Sequence, residues 1–151
     1  GASLPLKPYF RAHATEGAVL MEIVNVLAAA VGSWLFGAVW NMALAKHWVE
    51  ATGVAVGEDG KPENSSNPTP YILSAIAMIV VAGMMRHIFG MAEIDTMAKG
   101  ITAGLGIGLF FISPWIMINN AYGGRPFKLT IIDGGYATFG CAVIGWILTM
   151  F

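Results

Sequence analysis

"RPFKLTIIDGGYATFGCAVIGWILTMF", residues 125–151, is an apolar stretch that follows two cations and contains a single carboxylate. From Leu129 to Phe151 it has about the ~20 residues that an α-helix needs to cross a ~30 Å hydrocarbon layer. Asp133 is the only charged residue between those limits. The stretch predicts a transmembrane helix, and it raises the question of how a membrane accommodates that carboxylate.

Three further apolar stretches have a similar length, and they cover residues 23–45, 71–91 and 101–118. The composition agrees with them, because 56% of the residues are hydrophobic and 11% are charged, with a mean hydropathy of +0.67. A soluble helical bundle would need polar residues at the helical period, and these stretches have almost none. We therefore predict an all-α fold, an integral membrane bundle of four transmembrane helices within residues 21–151, surrounded by the lipid bilayer.

Two segments are expected outside the membrane. Residues 1–20 contain two prolines and lack the basic start and uninterrupted apolar run of a signal peptide, so they predict an N-terminal extension. A native arm, an alternative start before Met21 and an added remnant all fit that extension. Residues 46–71 are rich in glycine, proline, asparagine and acidic residues, which predicts the longest loop, between two helical hairpins.

Several classes of function are disfavoured by composition and spacing. The net charge of -1 comes with no basic stripe for phosphates, so we expect no nucleic-acid partner. Cys141 is the only cysteine, which excludes an intrachain disulfide and a thiolate metal cluster. No Ser/His/Asp or Cys/His grouping and no phosphate-cradling glycine loop is present, so we expect no catalytic residues and no enzyme.

Histidine ligation of a haem or metal is also disfavoured. His47 follows the first apolar stretch and His87 ends the second, so alternating spans place them on opposite membrane faces. His13 lies on the extension, which makes it a poor ligand donor. We expect neither a cofactor nor a metal. His87 and its neighbour Arg86 are interpreted as helix-end anchors at the headgroups, in preference to a buried cation in a pathway.

Gly100, Gly104 and Gly108 recur at every fourth position of the third apolar stretch. This small-xxx-small spacing lets two helix backbones approach closely in lipid, so it predicts a helix-packing interface. The same glycines could line a channel or admit a ligand, and close helix contact is the favoured interpretation. Pro114, further along this stretch, removes a backbone donor and is expected to kink the helix and free a carbonyl near residue 110.

A polar intramembrane site is predicted around the third turn and the start of the last helix. Asp133 lies about one turn inside that helix, so its charge needs a nearby cation or amide donor, or else the acid is protonated. It is either a structural pin favoured by the helix dipole or a functional acid, and the pin is preferred. The remaining candidates in this site are Asn119, Asn120, Tyr136, Arg125 and Lys128.

Two blocks carry a resemblance to a known family, "FGAVWNMALAKHW" at residues 36–48 and "GGRPFKLTIIDGGYATFGCAVIGWIL" at residues 123–148. From Met21 to Phe151 the chain resembles the domain of unknown function 1761 family, small bacterial proteins with four helices in the inner (cytoplasmic) membrane. The resemblance implies a four-helix fold and a location in that membrane. It implies no settled activity. The family usually has an aromatic pair at Trp40 and Asn41, and Asn41 departs from that pattern.

Two functional hypotheses follow. In the first, the protein is a structural or accessory subunit that packs against itself or a larger membrane complex through the glycine face, for example in a respiratory or photosynthetic assembly. In the second, it carries a small solute or proton as an oligomer, with Asp133 in a polar site. Four cations fall on each side of the membrane, so the positive-inside rule leaves the orientation open.

Overall fold

The computed structural model describes residues 8–151, with side chains from residue 15 onward. Residues 1–7 of the predicted extension, and the side chain of His13, lie outside what it describes. The described chain is helical apart from turns and an isolated bridge between Val56 and Pro62. Its helices are α1 Pro8–Ala43, α2 Ala45–Thr52, α3 Thr69–Met91, α4 Met97–Ile107, a π-helical turn Gly108–Ile112, α5 Ser113–Tyr122 and α6 Phe127–Leu148.

Four segments are long and apolar enough to cross a membrane, which confirms the prediction of an all-α protein with four candidate spans. The third runs through α4, the π-helical turn and α5 without a break, and begins before the predicted apolar limit. The first is assigned from Thr15, where the described side chains begin, which is also earlier than the predicted limit. The four spans are Thr15–Ala43, Thr69–Met91, Met97–Tyr122 and Phe127–Leu148.

The predicted loop at residues 46–71 begins with a short helix that the apolar pattern did not indicate. This helix, α2, places Ala51 in a buried position and leaves Lys46 and Glu50 exposed. It packs against α6. Gly53 ends it with a φ of 65°, a left-handed conformation that glycine adopts without a Cβ clash. Eight residues are too few for a hydropathy pattern to reveal, and the contact with α6 stabilises the helix.

The last helix, α6, is the centre of the bundle. In its apolar window 44% of the residues are buried, against 11–22% in the other three spans. One side of α6 packs on α1 and another on α4, the π-helical turn and α5, while α3 packs mainly on α1 and only lightly on α6. The buried apolar core lies between α1, α3 and α6 and consists of Ala29, Ala30, Ala82, Met85, Phe89, Cys141, Ile144 and Leu148.

Alternating spans give the bundle two ends. The α2 end contains α2, the loop before α3 and the turn between α5 and α6, where Gly124 has a φ of 67°. The α3–α4 end contains the connection from Met91 to Met97 and the last residues of α6.

Candidate functional site

Gly100, Gly104 and Gly108 bring α4 into backbone contact with α6. A Cβ added at any of the three would overlap a carbonyl oxygen of α6, and at Gly104 that oxygen belongs to Cys141. The matching glycine on α6 is Gly145, which faces Gly100 with equally little space. We call this contact the glycine seam. It shows the close backbone approach that the four-residue spacing indicated.

The helix packed on these glycines is α6 of the same chain, whereas the accessory-subunit hypothesis placed another copy or a larger complex against them. Gly100, Gly104 and Gly108 are all buried within the single chain. A face already covered by α6 is closed to a second protein. The spacing of small residues shows that a helix can approach closely, but not which helix, because every apolar helix in lipid presents a similar surface.

The π-helical turn sets the position of Ser113 at the end of the glycine seam. The backbone N–H of Ser113 donates to the carbonyl of Gly108, five residues earlier. The wider turn places Ser113 after Gly108 on the side that faces α6. Its Oγ lies 2.8 Å from the Gly108 oxygen, 3.0 Å from the Gly134 oxygen and 3.3 Å from Thr138 Oγ1. Before Pro114, where a kink and a free carbonyl near residue 110 were expected, the helix forms a π-helical turn, and the Ser113 hydroxyl donates to the Gly108 carbonyl.

The contact between α1 and α6 uses side-chain donors in place of glycines. Three donors of α1 reach successive carbonyls of α6, spaced eight residues apart on the acceptor side. They are Asn25 Nδ2 to the Leu148 oxygen at 3.3 Å, Ser33 Oγ to the Gly140 oxygen at 3.1 Å and Trp40 Nε1 to the Ile132 oxygen at 3.0 Å. We call this set the donor seam. The order of donors and acceptors fixes α1 and α6 as an antiparallel pair.

Sequence reasoning missed the donor seam, although a signal was present. Asn25, Ser33 and Trp40 stand eight and seven residues apart, so they recur about every two helical turns on one face of the first span. Asn25 is 1% exposed and Ser33 is fully buried. A buried polar side chain in lipid needs a partner, and that need is the clue that the apolar pattern conceals.

A polar cluster at the α3–α4 end joins α3 to the donor seam. The Arg86 guanidinium donates to the Asn25 side-chain oxygen, while the Asn25 amide donates to the carbonyls of Leu148 and Phe151. Glu22 lies 3.9 Å from Arg86 as a looser charge partner. Arg86 thus has a tertiary contact besides the anchoring role expected for it. His87, the next residue, is exposed.

The charged residues predicted near the start of α6 separate into two contacts at the α2 end. Lys128 Nζ lies 3.3 Å from Glu50 Oε2, which ties α6 to the exposed side of α2. Asp133 is partly buried, lies beside the Trp48 side chain of α2 and experiences the positive charge of Arg125. Of the two cations proposed as partners of Asp133, Lys128 is engaged with Glu50, and Arg125 lies near the carboxylate without forming an ion pair with it.

Two neutral residues of the predicted polar site, Asn120 and Tyr136, have hydrogen-bond partners other than Asp133. Asn120 is buried and its amide donates to Thr130 Oγ1 at 3.1 Å, whereas Asn119 is exposed. Tyr136 donates its hydroxyl to the Ser33 carbonyl at 3.2 Å, and its ring stacks on Phe36. Asn120 and Tyr136 therefore take part in two separate helix contacts.

An apolar section separates the polar groups of the two ends. Along α6 the donor seam has no hydrogen bond between the carbonyls of Gly140 and Ile147, which are seven residues or roughly 10 Å apart. Cys141 and Ile144 of α6 lie in this interval, packed in the core with Ala29 and Met85. Throughout residues 15–151, every fully buried side-chain nitrogen and oxygen has a hydrogen-bond partner.

An open apolar groove of about 470 Å³ lies on the side of α6 that faces away from the core. Because the groove lies on the outer surface of the candidate spans, it would face the hydrocarbon layer. Near the α2 end its lining includes the Trp40 indole N–H, which donates to the Ile132 carbonyl oxygen. Within the described chain, no group of three His, Cys, Asp or Glu could hold a metal. The groove is lined by Phe36, Trp40, Ile101, Phe139, Ala142, Val143 and Trp146.

Comparison with known proteins identifies a family that covers most of the chain. The family model described as "Protein of unknown function (DUF1761)" matches residues 24–149. No curated protein and no solved structure matches. The matched region contains Asn25, the glycine seam and all of α6, so both seams lie within it.

Proposed function

We propose a function for this chain, which belongs to the DUF1761 family of proteins of unknown function. The protein is a non-catalytic structural or accessory subunit of a membrane assembly. We place it in the bacterial inner (cytoplasmic) membrane, where a respiratory or photosynthetic complex, or further copies of the chain, would be its partner. In such an assembly, the outer surfaces of the four spans would pack against the helices of other subunits.

The observation that carries the proposal is the use of polar side chains within the spans. The donor seam, the hydroxyl of Ser113 and the Asn120 amide all hold one helix of the chain against another. Groups committed to helix packing are not free to bind a substrate or transfer a proton. This arrangement supports a packing role. Because the glycine face is covered by α6, the partner must contact the surface that otherwise faces lipid.

Extraction from the native membrane in mild detergent tests the proposal. The extract is separated on a native gel, and mass spectrometry identifies what migrates with this chain. We expect a complex of fixed stoichiometry, either with larger subunits or with further copies. Migration as a monomer free of other proteins, in detergents that keep known complexes of the same membrane intact, would contradict the proposal.

Transport of a small solute or proton is the second candidate, and one observation favours it: Asp133 is a partly buried carboxylate within a span. Against it stands the apolar section between Gly140 and Ile147, which interrupts the donor seam for roughly 10 Å in a single copy. Transport would need a path between copies or a rearrangement of the core.

Flux into proteoliposomes distinguishes the two candidates. If the protein transports, Asp133→Asn abolishes the flux, while Glu50→Gln, which alters an exposed carboxylate at the same end, leaves it intact. If the protein is a packing subunit, wild type and both variants give the same background leak. A flux that depends on Asp133 would replace the accessory role with transport.

A further inference from the structure

Arg86 and His87 flank a notch on the lipid-facing side of α3. Gly83 lies three residues before Arg86 and four before His87, and Gly90 lies four after Arg86 and three after His87. At helical spacing both glycines project between those two side chains. A Cβ on Gly90 would meet nothing within 4 Å, and one on Gly83 would meet only Val26 at 3.9 Å. The surface between the two basic side chains is therefore open.

The Arg86 guanidinium retains free donors above this notch. It has five N–H groups, of which one donates to Asn25, and Glu22 at 3.9 Å is beyond hydrogen-bond distance. The Arg86 side chain is 34% exposed. His87 is exposed and makes no hydrogen bond or ion pair within residues 15–151. Asn25, held by the end of α6, fixes the orientation of the guanidinium without neutralising its charge.

The depth of the notch matches the headgroup region of a bilayer. Arg86 lies five residues before the end of α3, roughly 7.5 Å along the helix axis, within reach of the interface for a long cationic side chain. Toward the other end of the bundle the same side of α3 continues as exposed isoleucines, Ile79 and Ile76. A basic pair thus meets an apolar surface that extends into the hydrocarbon layer.

From this arrangement we propose that α3 carries a binding site for a phospholipid with a net negative headgroup. The phosphate accepts hydrogen bonds from Arg86 and His87 over Gly83 and Gly90, and an acyl chain lies along Ile79 and Ile76. Charge complementarity selects the ligand, because guanidinium and imidazole donors match phosphate oxygens. A zwitterionic headgroup binds less well, since it brings its own cation toward the basic pair. The site is independent of the role proposed above.

Titration of the purified protein in detergent with phosphatidylglycerol, followed by native mass spectrometry, tests the site. Wild type is expected to bind phosphatidylglycerol more tightly than phosphatidylcholine. His87→Leu removes the imidazole donor from an exposed position and is expected to weaken phosphatidylglycerol binding about tenfold. Gly90→Leu fills the notch where the fold leaves room, and is expected to weaken binding at least as much.

Two variants serve as matched controls. Gly106→Leu adds the same side chain at another glycine with nothing within 4 Å of its Cβ, and Lys99→Gln removes an exposed cation that pairs with Asp95. Both are expected to bind phosphatidylglycerol as wild type does. Equal affinities in wild type, His87→Leu and Gly90→Leu would overturn the proposal. So would displacement of the lipid by millimolar inorganic phosphate, which would indicate a site for a free anion.

Discussion

The donor seam and the glycine seam both run along α6, yet they hold their helices by opposite means. In the donor seam, Asn25, Ser33 and Trp40 extend from α1 to carbonyls of α6. In the glycine seam, α4 reaches α6 because Gly100, Gly104 and Gly108 have no side chains. The first depends on directed hydrogen bonds, and the second depends on dispersion contacts between backbones.

The two seams should tolerate amino-acid substitution to different degrees. A hydrogen bond in lipid contributes modestly, because the separated helices also find partners for their polar groups. A backbone contact has no flexible atoms to move aside, so an added side chain must separate the helices. We therefore expect the glycine seam to be the more sensitive to substitution, although it contains no polar interaction at its centre.

Breaking the glycine seam at its centre should have the largest effect. Gly104→Leu places a side chain against the backbone of Cys141 and Ala142, which cannot yield without moving α6. We expect a loss of about 3 kcal/mol in the free energy of unfolding. Thermal unfolding in detergent measures it, with Gly106→Leu as the control, since Gly106 faces open space. Similar stability of the two variants would show that α4 does not pack on α6 in this register.

Breaking the donor seam at Asn25 should have an intermediate effect. Asn25→Leu removes the donor to Leu148 and Phe151 and the acceptor that Arg86 uses. We expect a loss of about 2 kcal/mol, because buried groups lose their partners. Denaturation followed by tryptophan fluorescence measures it. Asn41→Leu, an exposed position on the same helix, is the control and should change stability little. If both substitutions cost the same, the seam at Asn25 contributes nothing specific.

The smallest loss of stability is expected where a hydroxyl group contributes to the glycine seam. Ser113→Ala removes the contacts with Gly134 and Thr138 but leaves the backbones in place. We expect a loss of about 1 kcal/mol. Thr102→Val is the control, because the exposed Thr102 hydroxyl bonds only within its own helix, to the Ala98 carbonyl. A loss as large as that of Gly104→Leu would mean that the hydroxyl, and not close approach, holds α4 and α5 to α6.

The candidate site was predictable only in part, for a reason that Asp133 and Lys128 illustrate. Both occur close together in sequence, and a cation near an intramembrane acid is a reasonable partner. Lys128 pairs with Glu50, 78 residues away, on a helix that the hydropathy pattern did not reveal. Proximity along a helix identifies candidates, but the choice among them depends on α2. The arrangement at Arg86 and Asn25 has the same origin, since the two residues come from different spans.

The number of candidate spans and their approximate limits follow from the sequence alone, because a helix needs about twenty apolar residues to cross the hydrocarbon layer. The sequence also indicated that one helix would approach another closely at Gly100, Gly104 and Gly108. Tertiary structure alone decided that the partner is α6, that α1 donates to the other side of α6, and that Ser113 faces it through a π-helical turn. In lipid there is no hydrophobic gradient to sort one apolar helix from another, so the pairing rests on shape and hydrogen bonds between residues distant in sequence.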